Sequence, residues 1–171
     1  MADAVDEREY IEYVTARLPA LRRLAYTLSG DGHRADDLVQ QTITTLFVRW
    51  RKIRTVAHLD RYVRSMLVHA FVDERRLAWA KVRLFHELPE QAAPEAHTFE
   101  ERTLLRAALA QVPRRQRAAL VLRFIYDLPV SEVAEILGCS EGTVKSQTSR
   151  GLTTLRKLLG EQPFAASTQE R

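Results

Sequence analysis

Apolar residues recur at helical rather than strand spacing along nearly the whole chain, which predicts an all-helical protein. Residues 5–28 carry the first stripe, with Tyr10, Ile11, Val14, Leu18, Leu21, Leu24, Ala25 and Leu28 as core candidates, and Pro19 placed to kink or divide it. SGDGHRADD is a turn, with a helix start expected near His33 to Asp36. In DDLVQQTITTLFVRWRKI, one side collects Leu38, Val39, Ile43, Leu46, Phe47, Trp50 and Ile53. The other side collects Asp37, Gln40, Gln41, Thr44, Thr45, Val48 and Lys52. That outer face is largely uncharged, as partner-binding surfaces often are. A third helix is expected from His58 to about Lys81, with Leu59, Tyr62, Val63, Met66, Leu67 and Ala70 inward. Its outward face would gather Arg61, Arg64, Ser65, Val68, Val72, Arg75 and Arg76.

The pattern breaks at ELPEQAAPEAHT, an acidic stretch containing two prolines. This suggests an N-terminal helical domain over 1–87, a linker over 88–98 and a C-terminal domain over 99–160, with 161–171 a disordered tail. The C-terminal domain opens with FEERTLLRAALAQV, and Pro113 starts RRQRAALVLRFIYDL. It closes on PVSEVAEILGCSEGTVKSQTSRGLTTLRKLL. Here a short apolar helix begins at Pro129, Gly138 ends it, and Ser140 offers a cap to a second helix. In that second helix Val144, Thr148, Leu152, Leu155 and Leu159 form the apolar stripe. Gly142, Thr143, Ser146, Ser149, Arg150 and Lys157 lie opposite, flanked by Lys145 and Gln147. Small, polar and cationic side chains on one face suit a helix-turn-helix that enters the DNA major groove.

Charge sharpens this picture. The chain as a whole carries +4, whereas Arg49 to Arg83 holds ten cations against three anions, a surplus of seven. Trp50, Tyr62, Phe71 and Trp79 lie among those cations, a composition suited to single-stranded nucleic acid and to salt-sensitive binding. The plain alternative is a basic solvated face over core aromatics. His69 and Asp73 are spaced to meet on one helix face, but no further ligands stand at metal-binding spacing. With a single cysteine, Cys139, no internal disulfide can form. No cofactor-binding loop or catalytic constellation is evident, so no cofactor and no enzymatic activity are expected. Nor is there a signal peptide or an apolar run of membrane-spanning length, so a cytoplasmic protein without membrane association is expected.

The order of these segments resembles the bacterial RNA polymerase sigma factors of the extracytoplasmic-function type. ADDLVQQTITTLFVRW is similar to the family's polymerase-binding segment, AHLDRYVRSMLVHAFVDERR to its −10 melting segment, and LPVSEVAEILGCSEGTVKSQTSRGLTTLRKLL to its −35-reading helix-turn-helix. The resemblance implies that Asp37, Leu38, Gln40, Gln41, Thr44, Thr45 and Val48 dock on the clamp of the largest catalytic polymerase subunit. It implies that Arg51, Arg54, Arg61, Tyr62, Arg64, Ser65, His69, Arg75 and Arg76 engage the −10 region and its melted non-template strand. It assigns Ser140, Glu141, Thr143, Lys145, Ser146, Gln147 and Arg150 to the −35 element, with that domain resting on the polymerase flap. An anti-sigma protein is a further partner the family allows. His69 replaces a common asparagine, and Gln147 and Thr148 replace a common arginine and apolar residue. The alternative reading is a stand-alone helix-turn-helix regulator, which would bind its operator tightly without polymerase.

Overall fold

The computed structural model describes residues 2–74 and 96–160, which form helices and turns with no strand among them. Helix α1 (Ala2–Ser29) runs without interruption through Pro19. Tyr13, Val14 and Leu18 before the proline and Leu21 and Leu24 after it all pack on the core, which holds both halves in line. Gly30, at φ +73°, ends α1, and α2 (Gly32–Ile53) starts at once. The cap is Asp31, whose carboxylate accepts from the Arg34 amide at 2.8 Å, slightly upstream of the expected start. After a short turn comes α3 (Leu59–Asp73). The expected continuation of that helix toward Lys81 lies outside the described residues.

In the second half, α4 (Ala96–Gln111) is followed by α5 (Arg114–Leu120), which opens into a π-helical turn over Val121–Ile125. Then come α6 (Val130–Leu137) and α7 (Glu141–Leu159). Most of the expected linker lies outside the described residues, but its last residues, Ala96 to Thr98, already belong to α4. The expected tail, 161–171, also lies outside them.

Helices α1–α3 form one bundle and α4–α7 another. The two bundles are packed against each other rather than merely tethered. One continuous core includes Leu28, Leu38, Leu46 and Phe71 from the first half with Val121, Leu122, Val133, Ile136 and Val144 from the second. A smaller cluster, Leu109, Val112 and Leu120 with Leu105, Leu152 and Leu155, belongs to the second half alone.

The junction has an electrostatic centre. The C-terminal ends of α1, α3 and α4 converge on two arginines at the start of α5. Arg117 donates from Nη1 to the Leu28 carbonyl at 2.9 Å and from Nη2 to the Val112 carbonyl at 3.0 Å, and also to that of Ala110. Arg114 donates to the Phe71 carbonyl and to Glu74, both at 2.7 Å, and Arg34 pairs with Glu74 at 2.9 Å. Both guanidinium groups lie over the Phe71 ring, 5.3 and 5.5 Å from its centre. The last carbonyls of a helix lack intrahelical donors and carry its negative dipole end, so a cation there satisfies both deficits. Burial, then the neighbouring charges of Arg114 and Arg34, push the Arg117 guanidinium down to about 10, which still leaves it charged at neutral pH.

Candidate nucleic-acid interface

Local chemistry sets the helix-turn-helix. Gly138 adopts φ +62° at the end of α6, a left-handed conformation that favours glycine. Ser140 then accepts from the Thr143 amide at 3.1 Å and caps α7. Val144 is buried, Leu152 and Leu155 join the smaller core, and the Thr148 hydroxyl points inward. Gly151 completes this inner face. It is buried so closely against α5 that a Cβ there would lie 2.9 Å from Leu120 Cδ1. The opposite face leaves Glu141, Gly142, Lys145, Ser146, Ser149 and Arg150 exposed, with Thr143 and Gln147 half-buried. Ser140 and Thr143 bond each other through their hydroxyls at 2.9 Å, so part of the expected −35 set also serves the cap.

Helix α2 presents Asp37, Gln40, Gln41, Thr44 and Val48 to solvent, with Thr45 half-buried and bonded to the Gln41 carbonyl. Val48 is 80% exposed in the middle of this largely uncharged face. Two residues fall elsewhere than expected. Leu38, expected among the polymerase-contacting residues, is 1% exposed and lies in the core, so it shapes that face from beneath. Phe47, expected in the core, is 54% exposed, because Tyr10 and Trp50 already fill the space under α2.

The cationic face of α3 is not open. Arg61 donates to Glu135 of α6 at 2.5 Å and lies 3.8 Å from Glu132, and Arg64 lies 3.5 Å from Glu132. The Ser65 hydroxyl donates to the Ile136 carbonyl at 2.8 Å. Val68, expected on the outer side, is fully buried, because this side of α3 joins the core shared by the two bundles. His69 sits against the turn after α6, with Cε1 3.6 Å from where a Gly138 Cβ would be. Tyr62 packs half-buried on the core, and Phe71 is wholly buried rather than available for stacking. Arg51 and Arg54 at the end of α2 pair with Asp6 of α1 at 3.2 Å, and Arg54 also meets Glu9 at 2.7 Å. Glu9, then Asp6, hold the Arg54 guanidinium above its ordinary value. Arg75, Arg76 and Trp79 lie outside the described residues.

Beside the α2–α3 turn lies a cleft of about 500 Å³, lined in part by Tyr13, Arg17, His58, Asp60, Arg61 and Glu132. Asp60 organises its floor, accepting from the Tyr13 hydroxyl at 2.8 Å and pairing with Arg17 at 2.8 Å. Arg17 holds the Asp60 carboxyl below the usual carboxylate range, while burial and then Asp60 push the Tyr13 phenol up. Sequence reasoning missed Tyr13 and Arg17, which stand on α1 far from the basic segment. Only the turn of α3 beside α1 brings them to this cleft. Among the described residues, no three His, Cys, Asp or Glu side chains cluster where they could hold a metal ion. No described helix is long and apolar enough to cross a membrane.

With the helix-turn-helix and the basic α3 placed, comparison with known proteins decides the family. The sigma-70 region 4 family matches residues 102–155, and the sigma2 domain of PhyR matches residues 14–59. The RNA polymerase sigma-E factor of Streptomyces coelicolor is 32% identical, over 95% of this chain and 93% of its own length. The chain belongs to the extracytoplasmic-function sigma factors. The sigma factor EcfG of Rhodopseudomonas palustris is 33% identical over 85% of this chain and 82% of its own. The fold matches the sigma factor RpoE of Bartonella quintana, solved in complex with the anti-sigma factor NepR, with a TM-score of 0.67 at 25% identity. That match covers 91% of this chain and 99% of the other. This sigma factor therefore directs core RNA polymerase to promoters and helps to open the DNA, and is not a stand-alone regulator.

Proposed function

We propose that this sigma factor divides its work among three surfaces. The exposed face of α2, centred on Val48, docks on the clamp of the largest polymerase subunit. The α2–α3 turn and α3 hold the −10 region through Arg51, Arg54, Arg61, Tyr62, Arg64, Ser65 and His69, with Arg75 and Arg76 completing the set. Helix α7 reads the −35 element through Glu141, Lys145, Ser146, Gln147 and Arg150, with Ser140 and Thr143 shaping its start. The observation that carries this reading is α7 itself: a capped helix, braced from behind, whose free face is small, polar and cationic. The protein performs no chemistry of its own and works in the cytoplasm, where polymerase and promoters are. The Bartonella relative is solved with an anti-sigma protein bound, which supports an anti-sigma partner for this chain as well.

Val48→Asp tests the docking face. A charge set into a desolvated contact should weaken capture by purified core polymerase about tenfold or more while thermal stability stays unchanged. Retention of wild-type capture would remove α2 from the interface. Ser146→Ala and Gln147→Ala should change the −35 sequences recovered by holoenzyme from a randomised promoter pool, because a base-edge contact discriminates by about 1–3 kcal/mol. Lys157→Ala should weaken binding evenly across that pool. Unchanged preferences for the first two variants would displace the reading face from this side of α7.

A further inference from the structure

We propose that Asp6, Glu9, Tyr13 and Arg17 of α1 are positioning residues that hold the α2–α3 turn at both ends, and so set how strictly that turn selects the −10 strand. The inference rests on the assignment of that turn to the −10 region. The spacing of these residues places them on one stripe of α1. At the near end of the turn, Arg54 reaches Glu9 at 2.7 Å and Asp6 at 3.2 Å. At the far end, Arg17 grips both carboxylate oxygens of Asp60 at 2.8 Å, and the Tyr13 hydroxyl donates to Asp60 Oδ1, also at 2.8 Å. A guanidinium that meets a carboxylate through two nitrogens fixes its orientation as well as its distance.

The turn needs such outside support. Ile53 and Leu59 anchor its ends on the core, but Arg54, Thr55, Val56, Ala57 and His58 between them are all exposed. Its backbone closes through the Val56 amide on the Ile53 carbonyl at 2.9 Å. Helices α2 and α7 each start on a side chain that caps them, whereas His58, at the head of α3, makes no such bond. Local chemistry thus leaves the turn weakly specified, and α1 supplies the rest. The side chains of Arg17 and Asp60 are 48% and 53% exposed, so their pair adds little to global stability. What it supplies is geometry. Asp60 lies in the cleft that Val56, Ala57 and His58 also line, so a shift of Asp60 moves the walls that a strand would meet. A base-edge contact discriminates only while its donors are held in register, hence loosening the turn blurs selection before it abolishes binding.

The test uses holoenzyme made with the full chain and a promoter pool randomised across the −10 element. Arg17→Ala should lower the enrichment of the preferred −10 bases about fivefold or more, with −35 preference, capture by core polymerase and thermal midpoint unchanged. Asp60→Ala should do the same, and the double variant should lose no more than either single one, because both residues act through one contact. Arg17→Lys, which keeps a cation within reach of Asp60, should recover part of the selectivity. Asp6→Asn with Glu9→Gln, which releases the near end, should shift selection in the same direction as Arg17→Ala. If the losses from Arg17→Ala and Asp60→Ala add in full, Arg17 touches the strand itself and the positioning role is overturned. Wild-type selection in the variants of either end overturns it too, as does a lowered thermal midpoint that Arg17→Lys restores without restoring selection. The assignment of the turn fails separately: Val56→Gly and His58→Ala, within the turn itself, would then leave −10 selection at the wild-type level.

Discussion

Arg117→Ala is expected to destabilise the folded protein by about 3 kcal/mol, read as a lower midpoint in urea denaturation. The alanine removes the donors that serve the Leu28, Ala110 and Val112 carbonyls and leaves these helix ends unsatisfied in a dry environment. Each charge-assisted hydrogen bond contributes about 1.5–3 kcal/mol net, partly offset here by relief from burying the cation. Arg117→Met separates the terms, since it keeps much of the volume yet supplies no donor and should recover little of the loss. Arg117→Lys keeps a charge without the planar fork and should fall between the two. Because Leu28 belongs to one bundle and Val112 to the other, the alanine variant should also make the two halves melt less cooperatively. Wild-type stability in the alanine variant would mean that these carbonyls find water instead.

Gly151→Val should be the most damaging change within the helix-turn-helix, at about 2–3 kcal/mol. Glycine inside a helix ordinarily costs about 1 kcal/mol relative to alanine, so replacement on an open face would stabilise. Here a Cβ would meet Leu120 Cδ1 at 2.9 Å, Leu120 Cγ at 3.0 Å and Gln116 Cβ at 3.3 Å. Leu120 is itself buried beside Leu109 and Val112, so it has nowhere to go. A branched side chain would push α7 off α5 and tilt the reading face. Thermal unfolding of the variant should show the loss of stability, and holoenzyme footprinting should show weakened protection at the −35 element with the −10 contact less affected. Equal stability of wild type and Gly151→Val would show that α7 can slide on α5 without penalty.

These cases mark how far periodicity reaches. The helix-turn-helix was legible because its determinants are neighbours in the chain: Gly138 for the left-handed turn, Ser140 for the cap, Val144 and Leu152 for the stripe. Gly151 leaves no mark in the periodicity, because its signal is the distance of closest approach to α5 and no spacing within α7 encodes that. Phe47 and Leu38 stand at opposite edges of the apolar stripe of α2, and one is exposed while the other is buried. The difference lies in Tyr10 and Trp50, which occupy the space beneath Phe47.

The order of segments, the all-helical class, the caps and the cationic surplus of the middle of the chain follow from local chemistry, which acts over a few residues whatever the rest of the protein does. Which cations remain available follows from tertiary placement alone. Arg61 meets a carboxylate 74 positions away, and Ser65 a carbonyl 71 positions away, because α6 comes to rest on α3. Charge in a sequence records what a side chain carries, whereas its partner depends on which surfaces bury their apolar residues together. Val68, Val133 and Ile136 settle that here, and so decide that a face rich in arginine is covered rather than open.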